Sequence, residues 1–153
     1  MSCKEALFSI LNESGDCYSD RSSCSDSGRS FSIRPKNREP YCTIKVDGCL
    51  IKANNEQRCD FIIVDCNSGV FHFIELKGND IGKASKQIVN TITIIKNKFK
   101  QAKIELATNR IAIHIVCNLS TKANQKKDDI VEEFIKKYSI TPKFYTKAEV
   151  RLQ

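Results

Sequence analysis

Two short runs, residues 59–66 (CDFIIVDC) and 70–77 (VFHFIELK), constrain this chain more than any other feature. Both are rich in β-branched and aromatic residues and too short for stable helices, so they predict strands. Asn67-Ser68-Gly69 between them is a hairpin turn signal. After Gly78 the period changes. Ile81, Ala84, Ile88, Ile92, Ile95, Phe99 and Ala102 recur at spacings of three and four, predicting a helix of about five to six turns. A hairpin feeding a long helix commits the chain to an α/β fold. The rest fits that frame. Residues 3–13 carry Leu7, Ile10 and Leu11 at helical spacing, residues 42–52 alternate as a strand does, and residues 110–118 read as a buried strand. Residues 127–138 predict a helix with Asp128 and Asp129 in its first turn, and residues 141–152 a final strand. The expected order is helix, three antiparallel strands, helix, strand, helix, strand, in one α/β layer system with a mixed sheet.

Length and composition bound the answer. The 153 residues make one domain, expected to span 1–153, and 41% hydrophobic with 28% charged residues describes a globular chain. No apolar run approaches the ~20 residues that span a bilayer, and residues 1–13 lack a signal-peptide core. A cytoplasmic protein with no membrane partner is the expectation. Serine supplies eight of the nineteen residues from Ser14 to Ser32, with Pro35 and Pro40 following, which predicts a flexible loop over about 14–40. Charge is divided. Residues 1–76 carry 9 basic and 11 acidic side chains, net −2, and residues 77–153 carry 16 and 7, net +9. A basic half points to a polyanionic partner such as nucleic acid. The eight cysteines, read in a reducing cytoplasm, are expected to be mostly free thiols. Convergence of Cys17, Cys24, Cys42 and Cys49 on a metal is the rival reading.

The residues that carry chemistry are Asp60 and Glu75-Leu76-Lys77. Residues two apart in a strand share a face, so Glu75 and Lys77 project together. Folding back at Asn67–Gly69 brings Asp60 near them. Asp60 shares the face of Glu75 if paired residues in the hairpin have position numbers of odd sum. Two carboxylates at a strand end are hard oxygen donors for a divalent cation, and a lysine beside them can orient a water or stabilise charge on a phosphate.

These residues resemble the PD-(D/E)XK nuclease superfamily: an Asp starting one hairpin strand, Glu-x-Lys ending the next, then a helix. Cys59 stands where the motif has proline. The resemblance spans the first helix to about Cys117 and implies a restriction-endonuclease-like core with N-terminal antiparallel strands flanked by helices. It implies Mg2+ or Mn2+ held by Asp60, Glu75 and the carbonyl of Leu76, with Lys77 acting on the attacking water. Gln87 fits the glutamine that several subfamilies place on the following helix. Members often add an acid from the first helix, for which Glu5 and Glu13 are both available. A homodimer is a further implication.

Arg34, Lys36 and Arg38 in the serine-rich segment and Lys83 and Lys86 on the long helix are the expected nucleic-acid contacts. Asp47 suits either a turn or a metal role. Asp65 reads as a turn former, and His72 and His114 as structural histidines, with His72 on the face opposite Glu75. The expected activity is Mg2+-dependent hydrolysis of phosphodiester bonds in DNA, or alternatively RNA, in a setting such as repair, restriction or phage and mobile-element defence. A non-catalytic nucleic-acid or protein binding module on the same fold, and a cysteine-based metal protein, are the alternatives.

Overall fold

In the computed structural model, residues 2–13, 15–35, 40–52, 58–78, 80–117 and 121–153 are described, the side chains of 77, 78 and 121–125 excepted. The expected hairpin is β5 (Phe61–Asp65) and β6 (Val70–Gly78), and the expected long helix is α2 (Ile81–Gln101). Asp65 makes the turn as expected, its Oδ1 accepting from the amides of Asn67 and Ser68 at 3.0 and 3.2 Å. Asp80 caps α2 by accepting from the Lys83 amide, which satisfies one of the orphan donors of the first turn.

The first helix, α1 (Cys3–Leu11), opens on a capping box between Ser2 and Glu5. Strand β4 (Tyr41–Lys45) pairs antiparallel with β5, and β7 (Ile111–Cys117) pairs parallel with β6. Helix α3 is Thr121–Tyr138, and β8 (Lys143–Tyr145) pairs parallel with β7. With the short β1 (Tyr18–Ser19), the sheet order is β1-β4-β5-β6-β7-β8. The strands from β6 to β8 add in one direction through the crossovers α2 and α3. Crossovers of one hand put both helices on one face. There α1, α2 and α3 pack Leu7, Leu11, Ile88, Ile95 and Phe134 on Ile62, Phe73, Ile113 and Ile115. A fully buried isoleucine contributes about 1.5–3 kcal/mol, so the inner stripe of α2 anchors this layer.

Several sequence expectations are corrected. The serine-rich segment is not one flexible loop. It forms β1 and a hairpin of β2 (Ser23–Asp26) and β3 (Arg29–Ile33). The two-residue loop Ser27–Gly28 has φ of 52° and 75°, the doubly positive pattern of the turn that fits a hairpin's twist. The expected last strand is two, β8 and β9 (Glu149–Leu152), and β9 pairs parallel with β3 in a second sheet of order β2-β3-β9. This sheet covers the face away from the helices, burying Phe31 and Val150 against Ile63, Ile74, Leu76 and Val116. Helix α3 begins six residues earlier than its apolar period shows, so Asp128 and Asp129 lie in its interior.

The expected strand over 42–52 ends at Lys45; beyond it the chain turns, with a bridge between Asp47 and Ile51. Asn54-Asn55, a turn signal in the sequence, lies outside the described residues. Mostly free thiols were expected, but Cys3–Cys66 and Cys17–Cys49 are disulfides, leaving Cys24, Cys42, Cys59 and Cys117 free and buried. Their partners stand 63 and 32 residues apart, beyond the reach of local spacing. The convergence of Cys17, Cys24, Cys42 and Cys49 fails with this pairing. Among the described residues, no helix is long and apolar enough to cross a membrane.

Candidate active site

The β5–β6 ladder runs from Asp65↔Val70 to Phe61↔Ile74, so paired numbers sum to an odd value. One step further, that register sets Asp60 opposite Glu75, the parity a shared face requires. At Asp60 the strand bends away. Its carboxylate Oδ2 accepts the Leu76 amide hydrogen at 2.9 Å, and its main-chain carbonyl accepts from Val46 at 3.0 Å. The side chain thus substitutes for the backbone acceptor that a continuing strand would have offered to β6. A charge-assisted bond of this kind is stronger than a neutral one.

Helix α2 holds the bend from one side. The Cys59 amide donates to Thr91 Oγ1 at 2.8 Å, the Thr91 hydroxyl donates to the Gln87 carbonyl at 2.8 Å, and Gln87 Nε2 donates to the Arg58 carbonyl at 3.1 Å. Arg58 Nε in turn meets Asp47 Oδ1 at 2.7 Å. Asp47 and Asp60 then line one cavity of about 210 Å3 with Ser25, Asp26, Lys45 and Phe61. Asp47 therefore combines its turn with a place at the site. The Cys59 thiol is fully buried. Burial first, then the charges of Glu75 and Asp60, push its pKa well above the usual thiol value. Both carboxylates are close enough to act on that thiol, and it stays protonated.

Other assignments change. Asp60 and Glu75 were expected at an open strand end, but they are 4% and 1% exposed. Asp60 reaches solvent through the cavity, and Glu75 does not line it. Gln87 lies next to the site as expected, but its amide nitrogen holds the Arg58 backbone. Leu76 is fully buried, its side chain in the core between the sheets. The side chain of Lys77 lies outside the described residues, as do Lys36 and Arg38.

Neither first-helix acid is at the site. Cys3 is bonded to Cys66 at the far end of β5, six residues or ~20 Å of strand from Asp60. Glu5 follows Cys3 closely and caps α1. Beyond the other end of α1, the Leu11 carbonyl that precedes Glu13 accepts from Lys98, near the end of α2 remote from Gln87. Arg34 is exposed and five residues past Arg29, so ~17 Å of strand separates it from the hairpin end that reaches the cavity. Lys83 and Lys86 are exposed on α2, and Lys86 lines the groove between α2 and α3, away from Asp60.

Asp26, Lys45 and Arg29 are the neighbours that sequence reasoning missed. Burial raises the pKa of Cys117 against the opposing charge of Arg29, and Cys117 pairs with Gly78 at the Glu75–Lys77 end of the sheet. The signal was present: Ser27-Gly28 between two runs that alternate serine with Cys24, Phe31 and Ile33.

On the opposite face, His72 Nδ1 meets His114 Nε2 and His114 Nδ1 meets the Tyr145 hydroxyl, each at 2.9 Å. Both are structural histidines, as their strand positions indicated. Burial is the main cause that lowers their pKa values to about 4 for His72 and about 3 for His114.

Among the described residues no group of three or more His, Cys, Asp and Glu side chains could hold a metal ion. The donors that the resemblance implies are Asp60, Glu75 and the Leu76 carbonyl, of which only Asp60 lines the cavity. All are hard oxygen donors, which suits Mg2+ or Mn2+, ions that keep several waters and use one or two carboxylates. The chain matches no family model, no curated protein and no solved structure.

Proposed function

We propose that this protein is a metal-dependent phosphodiesterase that cleaves DNA, or alternatively RNA, on a restriction-endonuclease-like core. The observation that carries the reading is the 2.9 Å bond from the Leu76 amide to Asp60 Oδ2. It ties the first motif carboxylate to the strand bearing Glu75 and Lys77. Support also comes from the order helix, three antiparallel strands, helix, parallel strand, which α1, β4–β6, α2 and β7 follow with β1–β3 inserted after α1.

Asp60, Glu75 and the Leu76 carbonyl would hold Mg2+ or Mn2+, which when bound offsets phosphate charge and lowers the pKa of a water. The chain's own residues do the rest. The Asp60–Leu76 bond fixes the carboxylate, and Gln87 and Thr91 fix the 58–59 backbone that precedes it. Lys77 acts on the attacking water or on charge developing at the phosphate. A second reading, a binding module without cleavage, is favoured by the 1% exposure of Glu75. Incubation with plasmid, linear, single-stranded and branched DNA and with RNA, in Mg2+, Mn2+ or EDTA, separates the two. Cleavage in metal alone that is lost in Asp60→Asn and Glu75→Gln supports the enzyme. Retained binding with no cleavage supports the module.

A further inference from the structure

The hairpin β2–β3 presents its serines as a plate. Ser23 pairs with Ser32 and Ser25 with Ser30, so the four hydroxyls stand in two cross-strand pairs on one face. Strand β9 extends both rows, with Arg151 beside Ser32 and Glu149 beside Ser30. The alternate residues Cys24, Phe31 and Ile33 are buried. A groove of about 700 Å3 runs along these strands, β1 and β4, and its walls include Arg21, Arg151 and Lys45. Ser25, Lys45 and Phe61 line this groove and also the cavity of Asp60, so the two adjoin.

We infer that the groove holds a short stretch of single-stranded nucleic acid and leads it to Asp60. This rests on the phosphodiesterase reading and adds the strandedness of the substrate. Serine hydroxyls and arginines are the donors that contact phosphate and sugar oxygens without reading sequence. Phe61, partly exposed at the junction, offers a ring on which a base can stack. The volume suits one strand seated in the groove. A pocket of ~300–1,000 Å3 encloses one small ligand, enough for a piece of one strand. Asp16 and Glu149 also line the groove, but Glu149 is held by Arg151 at 2.5 Å. The charge that a strand meets past them is that of Arg21 and Lys45.

The test is fluorescence anisotropy in EDTA with a labelled single-stranded oligonucleotide of about 12 nucleotides, within the ~4–16 a binding fold covers, and with its duplex. The single strand should bind at least about tenfold tighter than the duplex. Arg21→Ala with Lys45→Ala should weaken single-strand binding about tenfold and flatten the salt dependence by about 0.7 per removed cation. Lys136→Ala, on the exposed side of α3, should change nothing. If the double variant loses its circular dichroism spectrum, Ser32→Glu, which places a carboxylate on the plate, decides in its place. Equal affinity for duplex, or full binding by the folded groove variants, overturns the inference. Asp60→Asn keeps the two readings apart. Groove-dependent binding by a wild-type protein that cleaves nothing would leave the groove and remove the enzyme. Cleavage of duplex unaffected by the groove variants would do the reverse.

Discussion

Asp60 has one observed role, accepting from the Leu76 amide, and one proposed role, holding a cation, and two substitutions separate them. Asparagine keeps an oxygen that can accept from Leu76 but loses the charge a cation needs. Asp60→Asn should therefore abolish metal-dependent cleavage with a melting temperature near wild type. Asp60→Ala also orphans the buried Leu76 amide, which costs about 1–3 kcal/mol, so it should unfold at measurably lower denaturant. Equal stability of the two variants would contradict the bond at 2.9 Å. Gln87 acts at one remove, through Arg58. Gln87→Ala should lower the single-turnover cleavage rate and stability by about 1 kcal/mol, with the salt dependence of binding unchanged. The histidine pair sets a pH dependence. Both folded pKa values lie below the ordinary 6.5, at about 4 for His72 and about 3 for His114. The unfolded chain then binds protons that the folded chain does not. Stability is complete above pH 6.5 and falls as pH drops toward 4, by up to ~1.4 kcal/mol per unit for each histidine. Denaturant unfolding between pH 7.5 and 4.5 measures this, and His72→Gln should shallow the slope. An unchanged slope would show that His72 does not titrate as its burial requires.

At the scale of elements, what the sequence revealed follows from where its signals were strong. The hairpin and α2 were legible because their apolar residues repeat at clear periods of two and of three to four. The β2–β3 hairpin was not, because serine is common in loops and its alternation with Cys24, Phe31 and Ile33 is diluted. The first turns of α3 were hidden for the opposite reason: residues 121–127 (TKANQKK) form helix without an apolar stripe. In the site, local spacing exposed Asp60, Glu75 and the candidate Asp47 but not Asp26 or Lys45, which other segments bring in. Disulfides are long-range for the same reason. Titration of thiols in denaturant should find four before reduction and eight after. Reduction should lower stability by about 3–5 kcal/mol per bridge, given the loop lengths of 32 and 63 residues. Eight reactive thiols without reductant would contradict both bridges.

Over the whole molecule, the six-stranded sheet separates two layers with different work. The helices bury the apolar face and, through Gln87 and Thr91, pin the bend before Asp60. The three-stranded sheet covers the other face and carries serines and arginines toward the cavity that Asp60 lines. On the proposed phosphodiesterase reading, one layer fixes the carboxylates and the other brings substrate to them. The most direct measurement is single-turnover cleavage of a labelled single-stranded DNA by wild type, Asp60→Asn and Glu75→Gln, each in Mg2+, in Mn2+ and in EDTA. The account predicts cleavage by wild type in either metal, none in EDTA, and a loss of at least about a hundredfold in both variants, the scale of a removed electrostatic contact. Cleavage that survives in EDTA or in both variants, or no cleavage of any nucleic acid by the wild type, would contradict it.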